Sequence, residues 1–315
     1  MVARQAGSRL LRLVPVLLLV TLLTTAAVDL MPGSPALAML GENATREQVD
    51  QINAQLGLDQ PFLIRYWEWI GSALHGDLGV SMRMGLPVTE AIGQRFPVTL
   101  EIAVLSIVLA LLIAVPLALL AGARAGGRLD RTCTAMSSGL LSLPAFAAAV
   151  LLVYLLAVQW RLFPVSGWVP ISEDLVGNLR FAFLPAFSLA LMEAAVYFRL
   201  LRSDVIATLR ENFVLSARSR GLPRSYVLLR HVLRPSLFSL TTVAGLSLGR
   251  LLGGAVIVES LFALPGLGAL VLQSVPFQDI PVIQGIVVVV AVGYVIVNIA
   301  VDVGYSVIDP RVREG

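Results

Sequence analysis

Six apolar stretches, near residues 11–30, 98–122, 133–158, 181–201, 237–260 and 284–307, constrain this chain more than any other feature. Each approaches the roughly 20 residues that an α-helix needs to cross the hydrocarbon core of a bilayer. No water is available there to satisfy backbone N–H and C=O groups, so a spanning segment must be helical or part of a closed barrel. The expected fold is an all-α integral membrane protein with six transmembrane helices. Composition argues against the rival picture of an oily soluble enzyme. Hydrophobic residues make up 57% of the chain and charged residues 14%, whereas a soluble domain carries about a quarter charged residues.

Charge placement predicts orientation. There is no Lys, so the net charge of +3 rests on Arg alone, and positive loops are held on the cytoplasmic side. Arg4, Arg9 and Arg12 precede the first stretch, and Arg124, Arg128 and Arg131 follow the second. Eight Arg lie between Arg199 and Arg234, Arg311 and Arg313 end the chain, and the segment between stretches five and six has none. Both termini and the two Arg-bearing loops are therefore expected in the cytoplasm, and this spread marks topology rather than a nucleic-acid footprint. The first stretch also has the look of a signal peptide, with Ala36-Leu37-Ala38 as a small-x-small site. Its length and the Pro32 to Pro35 stop favour retention as a span.

The expected organisation is one membrane domain over residues 1–315, with an extracytoplasmic segment at 31–97, core spans at 98–307 and a cytoplasmic loop at 204–235. Within 31–97, Thr45 and Gln48 predict a capping box, and Gly57 closes the helix it opens. A second helix starts at Pro61, and its Tyr66, Trp67 and Trp69 suit either an interfacial anchor or a docking surface. His75 and His231 have no metal-binding neighbour at helical spacing and read as surface residues. Cys133 is the only cysteine and cannot form an internal disulfide. No glycine-rich Lys-Ser/Thr phosphate loop is present, so any ATP must be bound by another protein. No cofactor or metal site is expected in this chain.

The loop from Glu211 to Pro235 predicts two short helices joined at Gly221, with Pro223 in the first turn of the second. Val214, Ala217 and Arg218 fall on one face of the first, and Val227, Leu228 and His231 on one face of the second. Ser216, Ala217, Arg218, Arg220, Gly221 and Leu222 resemble the cytoplasmic "EAA" loop of ABC importer permeases, in the variant found in peptide and nickel permeases. Leu215 stands where the general motif has Glu, Ser216 replaces the first Ala, and the closing Pro is displaced to Pro235. Two further stretches resemble the same family: Glu259 through Pro265, Gly266 and Gly268 with the following Asp279 to Gly285, and Gly57 to Gly79.

The resemblance implies an importer permease for di- or oligopeptides or peptide-like solutes in a bacterial or archaeal inner membrane. It implies a second homologous permease, two ATPase subunits carrying ATP and Mg, and an extracytoplasmic solute-binding protein. Residues 216–222 and Val227 would then be the lever docked on the ATPase, with Ala217 as the small residue of the contact face. Glu259, Pro265, Gly266 and Gly268 would form the extracytoplasmic turn or gate.

Two charges fall inside spans, Glu193 and Arg250. Burying either alone in hydrocarbon costs about 3 kcal/mol, so pairing or water exposure is expected. They are either a candidate translocation path that meets peptide termini or a structural ion pair. Ala182, Ala186, Ala190 and Ala194, and likewise Gly245, Gly249 and Gly253, form small-residue stripes for close helix packing, with a partner permease as a candidate occupant. The principal alternative function is an ion-driven secondary transporter, which usually shows duplicated halves and intramembrane acid or His relays. A membrane-embedded enzyme ranks third, since no nucleophile elbow is present.

Overall fold

The computed structural model describes residues 44–55 and 59–308, with shorter pieces at 14–15, 17–26, 36 and 57. Twelve helices organise the described residues: α1 (Leu17–Ala26), α2 (Arg46–Gln55), α3 (Phe62–Leu74), α4 (Val88–Gly122), α5 (Arg128–Leu141), α6 (Ala145–Leu152), α7 (Leu175–Thr208), α8 (Asn212–Ser219), α9 (Arg224–Gly254), α10 (Val256–Leu261), α11 (Leu267–Ser274) and α12 (Ile280–Ile308). A π-wound turn, Val153–Gln159, extends α6, and another, Val227–Val232, lies inside α9. The described β structure is one isolated antiparallel bridge, Val80 to Pro87.

Four described helices are long and apolar enough to cross a membrane: α4, α7, α9 and α12. The stretch expected at 133–158 is not straight. Helices α5 and α6 are bent by 105° across Ser142-Leu143-Pro144 and count as a fifth span only if taken together. Pro144 sits at the N-cap of α6, where its missing N–H costs nothing, so the chain turns there without orphaning a donor. The stretch expected at 237–260 is likewise interrupted, with α9 ending at Gly254 and α10 beginning at Val256. Of the first stretch, α1 is described; the flanking residues, with Pro32, Pro35, Leu37, Ala38 and the terminal Arg residues, lie outside the described residues.

The chain divides into two compact units. The first comprises residues 1–99 and 265–296. Its core packs Val88, Ala91 and Ile92 of α4 with Leu267 and Leu270 of α11 and Val282 and Ile286 of α12. Polar links fasten its pieces. The Tyr66 hydroxyl donates to the Leu18 carbonyl at 2.8 Å, Gln284 bonds Thr25, and Thr99 Oγ1 accepts from Leu267 N at 2.8 Å, satisfying a first-turn donor of α11. Asp279, 1% exposed, accepts from Ser81 Oγ at 2.6 Å and from the backbone N–H of Met82 and Arg83. The capping box is formed: Thr45 N donates to Gln48 Oε1 and Gln48 N to Thr45 Oγ1. Tyr66 is buried rather than interfacial, while Trp67 is exposed.

The second unit comprises residues 100–264 and 297–315. Helix α7 is its centre, packed by α5, α6 and α9. The alanine stripe explains why: Ala182, Ala186, Ala190 and Ala194 are all buried within the unit, so backbones approach closely there. The glycine stripe divides. Gly245 faces α12, where an added Cβ would lie 2.0 Å from Val301 Cγ2, Gly249 is buried, and Gly253 is exposed. Neither the alanines nor Gly245 is available to a partner permease.

Candidate functional site

The hairpin around Gly221 forms much as its residues dictate. Helix α8 ends at Ser219, Gly221 takes φ +76°, and Pro223 precedes the first residue of α9. Pro223 is thus the N-cap, one position earlier than the sequence suggested, and its extended backbone turns the chain into α9. A Cβ at Gly221 would meet nothing within 4 Å, so glycine is favoured there by backbone conformation alone.

Which face points where is decided by burial. Val214 (0% exposed), Ala217 (6%) and Val227 (1%) join one core with Ala118, Leu201, Val205 and Leu240 of the long helices. Ala217 therefore packs against its own chain, whereas Ser216, Arg218 and Arg220 are exposed. Around them stand exposed apolar side chains, Phe213, Leu215, Leu222, Tyr226 and Leu229. Exposed apolar side chains interspersed with Arg along one short hairpin match the composition of a protein-docking patch. His231, expected at the surface, is half-buried, and its ring meets Tyr226 edge-on at 5.6 Å.

Glu193 on α7 and Arg250 on α9 do meet. Arg250 Nη2 donates to Glu193 Oε1 at 2.8 Å and to Oε2 at 2.9 Å, and Ser247 Oγ donates to Oε2 at 2.7 Å. The two ends are unlike: the Glu193 side chain is 7% exposed and the Arg250 side chain 60%. One guanidinium nitrogen makes every described contact of Arg250, leaving Nε and Nη1 uncommitted among the described residues. Ser247 was not foreseen; it lies three residues before Arg250 on the same helix, a spacing that could have marked it.

In the second unit, Glu259 is fully buried on α10, and Leu264 N closes back on its carbonyl at 2.8 Å. The left-handed residue of that turn is Ala263, φ 52°, and not a glycine. In the first unit, Gly266 caps α11 with extended backbone and Gly268 is buried, while Pro265 is half-buried.

The sequence model of the family described as "Binding-protein-dependent transport system inner membrane component" matches residues 114–314, and the model of that family's N-terminal region matches residues 3–103. The chain belongs to this family. It is a multi-pass permease subunit of an ABC importer, a transport component and not an enzyme, and it works with an ATPase and a solute-binding protein. The ion-driven alternative is set aside. The permease is 35% identical over 305 residues to a putative peptide transport system permease protein of Brucella abortus, covering 97% of each chain. It is 35% identical over 329 residues to the dipeptide transport system permease protein DppB of Escherichia coli K12, and 34% over 306 to the glutathione transport system permease protein GsiC of Escherichia coli O6:H1, again with 97% of each chain covered.

Proposed function

We propose that the permease carries di- or oligopeptides or peptide-like solutes inward. In this reading it pairs with a second homologous permease, two ATPase subunits that hold ATP and Mg, and an extracytoplasmic binding protein. It has six spans with both termini cytoplasmic, the arrangement that the Arg distribution favours. The solute class is supported by relatives whose names specify peptide, dipeptide and glutathione transport.

The hairpin of residues 204–235 is the coupling element, and one observation carries that assignment: its inner face, Val214, Ala217 and Val227, belongs to the same core as α4, α7 and α9. Close-packed interiors transmit displacement instead of absorbing it. A partner that grips the outer face, Phe213, Leu215, Ser216, Arg220 and Leu222, moves those helices with it. ATP-driven closure of the ATPases then switches the pathway between inward-facing and outward-facing states. Glu193 and Arg250 line that pathway, Arg250 presenting its uncommitted nitrogens to solute.

Proteoliposomes containing the complete assembly test this directly. A labelled dipeptide delivered by the cognate binding protein is expected to accumulate only with ATP, and unlabelled dipeptides should compete. Failure of every peptide tried to accumulate or compete, under conditions where another solute does, overturns the solute class.

A further inference from the structure

Besides its own core, the hairpin has a polar route into the membrane helices, through the turn at residues 123–127 that joins α4 to α5. Asp130, 2% exposed, receives both Nε and Nη2 of Arg202 on α7, the second bond at 2.6 Å, and also accepts from Gly126 N at 2.8 Å. One carboxylate thus closes the turn and fastens it to the end of α7. The helices touch at the same level: a Cβ on Gly122 would stand 2.6 Å from Val205 Cγ1 and 3.4 Å from the Arg202 carbonyl oxygen. From the other side, Arg224, the first residue of α9 and so of the hairpin's second arm, donates Nη2 to the Ala123 carbonyl at 2.9 Å. Ala123 follows directly on the C-terminus of α4, where a cation is favoured by the helix dipole.

The two ties differ in kind. The Asp130–Arg202 fork is nearly dry on its acid side, and a bidentate charged pair fixes direction as well as distance. The Arg224 tie is exposed and single, and such contacts form and break readily.

We propose that Arg224 is a positioning residue for energy coupling, holding the 123–127 turn to the hairpin, and that the Asp130–Arg202 fork relays the same displacement between α5 and α7. The fork is a fixed joint, and Arg224 is the joint that the hairpin can load. This rests on the hairpin being the element gripped by the ATPase.

The experiment measures solute transported per ATP hydrolysed in the fully assembled, reconstituted complex. Arg224→Ala is expected to assemble and hydrolyse ATP while the ratio falls about fivefold, the low end of coupling between sites. Arg224→Lys, which can still donate to a carbonyl, should restore most of it. An unchanged ratio in Arg224→Ala overturns the proposal, as does a reduced ratio that Arg224→Lys leaves equally low. Asp130→Asn should lower the ratio too, and an Asp130→Arg/Arg202→Asp double variant should recover part of it; if Asp130→Asn assembles with an unchanged ratio, the fork is no relay. Ser216→Trp, on the outer face, reports on docking alone. If Ser216→Trp uncouples and Arg224→Ala does not, the tie is wrong and the docking reading stands; if Ser216→Trp is normal, docking itself fails.

Discussion

Glu193 and Arg250 form one ion pair with unequal stakes. The carboxylate is enclosed by α7 and α9 while the guanidinium is mostly exposed, so loss of the cation strands a buried charge and loss of the anion does not. Arg250→Gln is expected to destabilise the purified permease by about 3 kcal/mol, the low end for breaking a buried pair because Ser247 still donates. Glu193→Gln should cost under about 1 kcal/mol, since an isosteric acceptor remains. Unfolding midpoints in nanodiscs that reverse this order contradict the geometry. Arg250→Gln should also raise KM for dipeptides with a free carboxylate more than for C-terminally amidated ones; equal effects would mean that Arg250 does not meet the solute terminus. Glycines separate in the same manner. Gly245→Ala pushes a methyl into Val301 and should cost about 1–3 kcal/mol, whereas Gly254→Ala meets nothing within 4 Å and should be near neutral.

Among elements, the hairpin is where local chemistry speaks loudest. Gly221 at φ +76° predicts that Gly221→Val costs about 1–2 kcal/mol and lowers uptake, while Gly221→Asn is tolerated. Equal uptake by the two variants would show that the left-handed turn is dispensable. Ala217→Glu drives a carboxylate into the core of Val214, Leu201 and Val205; it should unseat the hairpin, read as loss of protection from protease at residues 212–220. The two arms and their turn were legible because Gly, Pro and helical spacing are short-range signals. The facing of Ala217 was not: spacing shows that Val214 and Ala217 share a side, but not whether that side meets a partner or the chain itself. The 105° bend between α5 and α6 escaped for a similar reason. Apolar residues run through Leu143-Pro144, so hydropathy reads one continuous span, and the direction of the turn is set by packing on α7. Asp130 lay in a loop by pattern alone, and its partner is 72 residues away.

For the whole molecule, the sequence supplied the all-α membrane class and the permease family, because hydropathy and three separated motifs are redundant along the chain. Span number is less securely written. Four described helices are long and apolar enough to cross, or five if the bent pair is one span; α1, whose Tyr66 and Gln284 links hold it to α3 and α12, is the candidate sixth. The central claim is mechanical: a hairpin continuous with the core of the long helices is gripped by a separate nucleotide-hydrolysing chain. Disulfide cross-linking tests it most directly, with a single cysteine at Ser216 in a Cys133→Ala background and single cysteines across the ATPase surface. The account predicts an ATPase-permease cross-link whose yield changes between nucleotide-free and ATP-bound states. A Ser216→Cys thiol that never couples to the ATPase, and that is labelled only by reagents confined to the extracytoplasmic side, would contradict it.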